Sequence, residues 1–285
     1  MRSELRELWK YRDLLFVMVQ REMRIRYKNS FLGVIWSFLN PLLQVVVMSF
    51  VFNTFVRLDV PNYTAYMLAA YLPYMFFQYC VLDSAQSILY QMPLLKKIYF
   101  PREILPLATV IANFIHLLLG FVILFGWLLF AYVRDPRVIP FQATTIYLPF
   151  LLLISLMLST GVSFIVSALN TFYEDVKYIV QVLMYLMFYM CPVIYFAEQV
   201  ANSPQNLERG FWLYRLYNLN PLAALSHGYR KILLAPVDVK IGGELAKAMP
   251  TPWNYIWLAF FTSLGVLVFG YSLFNRLKWK FVERP

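Results

Sequence analysis

Apolar residues fall along this chain in long runs separated by shorter polar segments. A helix needs about 20 mostly apolar residues to cross the hydrocarbon of a bilayer. Six runs meet or approach that length: residues 34–56, 63–82, 105–133, 146–169, 179–196 and 253–274. The pattern ahead of them is different. Between Met1 and Gly33, Leu5, Leu8, Trp9, Leu15, Met18, Val19 and Met23 recur at helical spacing among charged residues. That spacing predicts an amphipathic helix lying along the membrane surface. Polar loops are predicted at 83–104, 134–145 and 171–178, and the link between the first two runs is very short. Residues 197–252 form a long connection that is not plain loop. Its stretch 211–234 is aromatic and apolar but broken at Asn220-Pro221. It is too short to span, so short re-entrant helices at the outer face are expected. The predicted fold is all-α: a polytopic membrane protein with six transmembrane helices. Residues 1–33 form a cytoplasmic amphipathic interface segment, and 34–285 form the transmembrane domain, with its outer re-entrant segment at about 197–252.

Composition agrees with that class. Hydrophobic residues make up 61% of the 285 and charged residues only 14%, too few to cover a soluble domain of this size. The net charge is +10. No basic stripe lies on a soluble module, so nucleic acid is not an expected partner. The cations flank apolar runs instead, where anionic membrane lipids attract them. With a cytoplasmic N-terminus, the inner segments hold 16 of the Lys and Arg residues and the outer ones nine, six of those in the long connection. This bias places both termini in the cytoplasm of a multi-pass plasma membrane protein. No cleavable signal peptide is visible, so the first span is expected to serve as the targeting signal. Cys80 and Cys191 lie in apolar runs and read as packed thiols rather than as a disulfide or metal ligands.

Candidate chemistry is sparse. No Asp, Glu, Lys or Arg lies inside the six runs, whereas ion-coupled transporters usually need one at membrane depth. His116, with Asn113 three residues before it, reads as a packed, hydrogen-bonded pair. A phosphate-binding loop needs Gly followed by Lys and Ser or Thr, and no Gly here precedes Lys. Any ATP hydrolysis must come from another polypeptide. Ser226-His227 are adjacent and point apart, and Glu174-Asp175 read as a solvated turn beside Lys177. Four serines at 155, 159, 163 and 167 are spaced for close helix packing.

Two polar, aromatic stripes carry more. Trp36, Asn40 and Gln44 share one helix face in the first run, and Asn40 precedes Pro41. Tyr178, Gln181, Tyr185, Phe188 and Tyr189 follow helical spacing at the fifth, and Tyr71, Tyr74 and Gln78 do so in the second. Amides facing lipid are costly, so these faces must meet another helix or an aqueous path. Aromatic rings with amides suit a sugar surface. Ordinary helix packing and interfacial aromatic belts suit the same residues.

Four passages resemble the membrane subunits of ABC exporters of the ABC-2 type, in the subgroup that exports O-antigen, teichoic acid and related polysaccharides. They are Tyr11-Arg-Asp-Leu-Leu through Arg24-Ile-Arg-Tyr-Lys-Asn-Ser-Phe-Leu-Gly-Val-Ile-Trp-Ser-Phe-Leu-Asn-Pro-Leu, Lys96-Lys-Ile-Tyr-Phe-Pro-Arg-Glu-Ile-Leu-Pro, Tyr173-Glu-Asp-Val-Lys-Tyr-Ile-Val continuing to Cys191-Pro-Val-Ile-Tyr, and Asn218-Leu-Asn-Pro-Leu. The resemblance implies a homodimer on two cytoplasmic ABC ATPase subunits, which carry the ATP and Mg, with no cofactor in this chain. It implies a bacterial inner membrane location, a lipid-linked glycan substrate, and a pore bordered by the first and fifth spans. It also implies that the N-terminal segment and residues 83–104 meet the ATPases. Lys96, Lys97, Pro101, Arg102 and Glu103 are then the candidate coupling residues. Residues 235–251 make the outer stretch longer than the resemblance leads one to expect. The rival functions are ABC-2 export of a small lipid or drug, and a membrane-embedded transferase acting on a lipid-linked sugar.

Overall fold

In the computed structural model, residues 2–28, 33, 35–56, 62–135, 139–203, 211–236, 238–241 and 244–282 are described. The N-terminal region forms α1 (Arg2–Lys10) and α2 (Arg12–Tyr27). Then come α3 (Ile35–Val51), α4 (Tyr63–Tyr90), the short α5 (Met92–Leu95), α6 (Ile104–Arg134), α7 (Leu148–Phe172) and α8 (Val176–Met190). The stretch between α8 and the last helix contributes α9 (Ala197–Ala201), α10 (Trp212–Asn218) and α11 (Pro221–Leu233). A two-stranded antiparallel hairpin follows, with β1 (Val239–Ile241) paired to β2 (Glu244–Ala246). The last helix is α12 (Trp253–Leu277), ending in a 3-10 turn, Lys278–Val282. The expected boundary between interface segment and spans falls at residues 29–34, where only Gly33 lies among the described residues.

Helices make the architecture, as the apolar runs require. Among the described residues four helical stretches are long and apolar enough to cross a membrane: Tyr63–Tyr90, Ile104–Arg134, Ala143–Phe172 and Trp253–Phe281. The other two expected spans correspond to shorter apolar helices. The expected fifth span ran to residue 196, but α8 stops at Met190. Pro192 is the reason. A proline disfavours helical backbone in the residue before it, and Cys191 is extended at φ −97°, ψ 148°. In the expected first span Pro41 lies inside α3, and a π-helical turn at Phe52–Val56 extends that helix.

The expected loop at 83–104 is also corrected. Helix α4 runs on to Tyr90, and α5 fills part of the remainder. Asp83, read as the start of a polar loop, is a helical residue. It is held by Arg26 of α2 and by Asn113 Nδ2 of α6 at 2.9 Å. Asn113 bonds to Asp83 and, through the same amide, to the Thr109 carbonyl at 3.0 Å.

Helix α4 is the hub. It packs on α3, α6, α7, α8 and α11, and most of its side chains are buried. A buried phenol must find a partner for its hydroxyl, and four tyrosines on α4 use theirs to fasten neighbours. Tyr63 donates to the Ile194 carbonyl, Tyr66 to the Ala235 carbonyl, Tyr74 to the Met184 carbonyl and Tyr71 to Gln44 Oε1. Helices α7 and α12 form the most extensive pair. The serine stripe on α7 is buried, with Ser155 on the Tyr229 hydroxyl at 2.9 Å and Ser163 on the Cys80 carbonyl at 3.1 Å. A second apolar cluster lies at the other end of the helices. There Met18 and Val19 of α2 pack with Leu105, Ala108, Phe274 and Phe281. Trp9, Phe16, Val17 and Ile25 on the same two N-terminal helices stay exposed.

Candidate substrate path and coupling surface

Helices α3 and α8 flank the hub and bury little of themselves. On α8 only Val180 and Met184 are buried. Tyr178, Gln181, Tyr185 and Tyr189 are exposed, Tyr189 by 69%. Phe188 departs from its stripe: its ring is packed 6.3 Å from that of Tyr71 and 5.4 Å from that of Tyr74. On α3, Trp36, Asn40 and Gln44 are exposed as well, and Gln44 Nε2 donates to Asn40 Oδ1 at 2.9 Å. The Tyr71 hydroxyl reaches Gln44 while its ring meets Phe188. The two stripes are thus tied to one α4 tyrosine, with their remaining polar and aromatic groups turned away from the core. An exposed apolar, aromatic surface this large marks contact with lipid, ligand or another protein.

A buried cation joins Tyr63 and Tyr66 in fixing the stretch after α8 on this hub. Arg230 of α11 is buried, and its guanidinium donates to the Tyr66 carbonyl at 2.9 Å, the Tyr195 carbonyl at 2.6 Å and the Val193 carbonyl at 2.5 Å. Its plane lies 4.9 Å over the ring of Phe196. Residues 191–196, which leave α8, are thereby pinned to α4 and α11. The next residue, Lys231, pairs with buried Glu198. Burial alone would raise the Glu198 carboxyl, but the adjacent ammonium outweighs it and holds the group below its ordinary value. Ser226 and His227 are both buried in α11. Among the described residues no three His, Cys, Asp or Glu side chains gather as a metal site requires.

The candidate coupling residues divide. Lys96 and Lys97 are exposed, whereas Pro101 and Glu103 are buried. Glu103 accepts from Lys278 Nζ at 2.6 Å, and Lys278 also lies 3.5 Å from Glu4. Arg102 sits 5.9 Å from the Trp279 ring and 6.0 Å from that of Phe281. Burial lowers the Arg102 guanidinium from its ordinary value. The N-terminal helix, the 96–103 segment and the C-terminal turn are therefore clamped through one lysine. Sequence reasoning named Arg102 and Glu103 but missed Lys278, Glu4 and Arg230. Their partners are far away in the chain, Lys278 being 175 residues from Glu103. The one local signal was a lone Arg-Lys pair inside the apolar run 222–234.

The sequence profile of the ABC-2 type transporter matches residues 13–234, which covers α2 through α11. The chain belongs to the ABC-2 type transporter family. Three relatives agree. An O-antigen export system permease protein RfbA of Klebsiella pneumoniae is 30% identical over 271 residues, covering 95% of this chain and 94% of the relative. A second RfbA of the same organism is 27% identical with the same coverage. One from Myxococcus xanthus is 32% identical over 228 residues, 80% of this chain and 82% of the relative. This ABC-2 chain is accordingly a multi-pass membrane protein and a transport subunit, and its family implies an ABC ATPase as partner. The matched region ends at Leu234, just before the hairpin stretch.

Proposed function

We propose that this chain is the permease subunit of an ATP-driven exporter that moves a lipid-linked polysaccharide from the cytoplasmic to the outer face of a bacterial inner membrane. The observation that carries the reading is its likeness, over nearly its whole length, to O-antigen export permeases. The exposed stripes on α3 and α8 support it. In this reading α3 and α8 complete six spans, both termini are cytoplasmic, and residues 1–33 form the interface segment. Two copies of the chain assemble on two ATPases, with Trp36, Asn40, Gln44, Tyr178, Gln181, Tyr185 and Tyr189 beside the path between them. Phe188 anchors the second stripe to α4. No bond in the substrate is made or broken by this chain, and ATP and Mg reside on the partner.

Export of the polymer tests the path. Gln181→Leu combined with Tyr185→Leu removes two exposed hydrogen-bonding groups where a hydroxyl-rich chain passes, and leaves the Tyr71–Gln44 contact intact. Each lost bond to a neutral group is worth about 0.5–1.5 kcal/mol, so surface-exposed glycan should fall roughly tenfold with the protein amount unchanged. Undiminished export would return both residues to lipid or helix packing. A drug or small lipid leaving by the same route would instead be insensitive to these polar losses.

The clamp gives a second expectation. In the reading above, ATP-driven motion enters through residues 83–104 and the N-terminal helices. Lys278→Met strands the buried Glu103 carboxylate, and breaking one partner of a buried pair typically costs about 3–5 kcal/mol. ATP turnover by the assembled complex should persist while export falls several-fold. Charge reversal at Arg102 should do the same. Exchanging the charges, Glu103→Lys with Lys278→Glu, should recover part of the loss. Wild-type export in Lys278→Met would remove the clamp from the coupling route.

A further inference from the structure

Asp83 is a carboxylate on α4, one of the helices long and apolar enough to cross a membrane. An ionisable residue on such a helix is costly and is kept where it serves a function, beside an identifiable partner. Its cationic partner is Arg26, from the last turn of α2. Among the described residues this is the only ion pair that joins α2 to the hub. The two side chains are 29% and 36% exposed, so solvent and salt screen the pair only in part. Further back, α2 is held by apolar packing through Met18 and Val19.

Arg26 has a second acceptor within reach. Glu22 stands four residues earlier on α2, and residues at that spacing share a helix face. Glutamate placed before the cation is the favourable order of such a pair. Burial raises the Glu22 carboxyl from its ordinary value, with Arg21 and Arg26 opposing and the Asp83 charge adding to the rise. The Glu22 charge is therefore under-compensated while Arg26 rests on Asp83. Asp83, for its part, does not depend on Arg26 alone. Asn113 Nδ2 donates to the same oxygen, Oδ2, and its helix α6 is packed on α4. When Arg26 leaves, the carboxylate keeps a donor. A cavity of about 190 Å³ lies beside Arg26, between α2, α3, α4 and α6, so the guanidinium can change partners without repacking the core. One cation between two carboxylates, each on a different element, makes a contact with two discrete arrangements. We propose that Arg26 is a positioning residue for transport, alternating between Asp83 of the hub and Glu22 of its own helix, so that α2 is latched to α4 in one state and released in the other. The structure holds the latched arrangement. The inference rests on the reading that α2 takes up motion from the ATPase.

Polymer export by cells, and ATP turnover and melting of the purified complex with its ATPase, are measured for two variants. Glu22→Gln leaves Arg26 on Asp83 and weakens the second position. Export and ATP turnover should fall together, roughly two- to fivefold, with no fall in melting temperature. Asp83→Asn keeps an oxygen for the Asn113 amide and weakens the latched position. ATP turnover should persist there while export falls about tenfold. Glu22→Asp, which keeps the charge, should recover most of the wild-type export. A fixed joint between α2 and α4 would respond to Asp83→Asn and ignore Glu22→Gln, so wild-type export and ATP turnover in Glu22→Gln overturns the latch. A lower melting temperature in Glu22→Gln would make Glu22 a packing residue and overturns it too. Glu22→Gln carries the test where Asp83→Asn does not assemble. The permease reading fails separately, when cells lacking this chain still export the polymer. Slower ATP turnover in Glu22→Gln keeps the latch even then. Undisturbed ATP turnover and export in both variants, with export lost on deleting the chain, removes the latch and keeps the permease.

Discussion

Gly270→Ala is expected to be among the most destabilising single-methyl additions in the molecule. Helices α7 and α12 approach so closely that a Cβ on Gly270 would lie 2.2 Å from the Gly161 carbonyl oxygen. Gly161 is also closely met by α12 one turn before Gly270. A Cβ on Gly161 would lie 2.7 Å from the Leu267 nitrogen and from the Val266 carbonyl carbon. All three neighbours are backbone, so no side chain can swing aside, and the helices must separate along their whole contact. Small residues at helix crossings permit such close approach within membranes. Overpacking costs typically about 1–3 kcal/mol and more where nothing yields, which for a chain of this size lowers the apparent melting temperature by roughly 2–10 °C. Gly265→Ala is the control: nothing lies within 4 Å of its Cβ position, and alanine favours a helix by about 1 kcal/mol over glycine. Melting of the purified protein followed by size-exclusion fluorescence separates them. Equal melting temperatures for Gly270→Ala and Gly265→Ala would mean that the α7–α12 contact is looser than 2.2 Å implies.

Those glycines show where sequence reading stops. The apolar runs were legible because a spanning helix needs length and little else, and α6, α7 and α12 lie close to where the runs put them. The end of α4 was not legible. Asp83 looks like the start of a loop, because the residues that hold it lie 57 and 30 positions away, at Arg26, which neutralises it, and at Asn113, which donates to it. The stripes were legible as spacing, since a repeat of three or four fixes a helix face. Spacing does not say what the face meets. Phe188 keeps the register of its stripe and yet turns to α4, where Tyr71 and Tyr74 take it. The coupling segment was found by its own charges, but the clamp also needs Lys278 and Glu4 from opposite chain ends. Close approach of two backbones leaves no mark beyond a glycine, and most glycines mean something else.

Arg230→Met should release the segment that leaves α8. The wild-type guanidinium satisfies the carbonyls of Tyr66, Val193 and Tyr195 at once. Such a divergent set suits the planar fork of arginine better than the compact ammonium of lysine. Methionine fills similar volume and donates nothing. Each stranded buried carbonyl costs about 1–3 kcal/mol, partly offset because a buried cation no longer has to be desolvated. The net loss falls on residues 191–196, where the Tyr63 hydroxyl on Ile194 remains as a fastening. The chain carries its own reporter. Cys191 begins the segment, is fully buried, and accepts from Asn220 Nδ2 at 3.6 Å. The other thiol, Cys80, is buried in the hub, and replacing it with alanine leaves a single probe. In that background the wild-type Arg230 protein should resist a water-soluble maleimide, and Arg230→Met should label at least about tenfold faster, as an opening made easier by more than 1.4 kcal/mol requires. Arg230→Lys should fall between them. A Cys191 that stays protected in Arg230→Met would show that the tyrosines of α4 hold residues 191–196 without the arginine. The cation would then be a passenger in α11 rather than the pin that joins the end of α8 to α4 and α11.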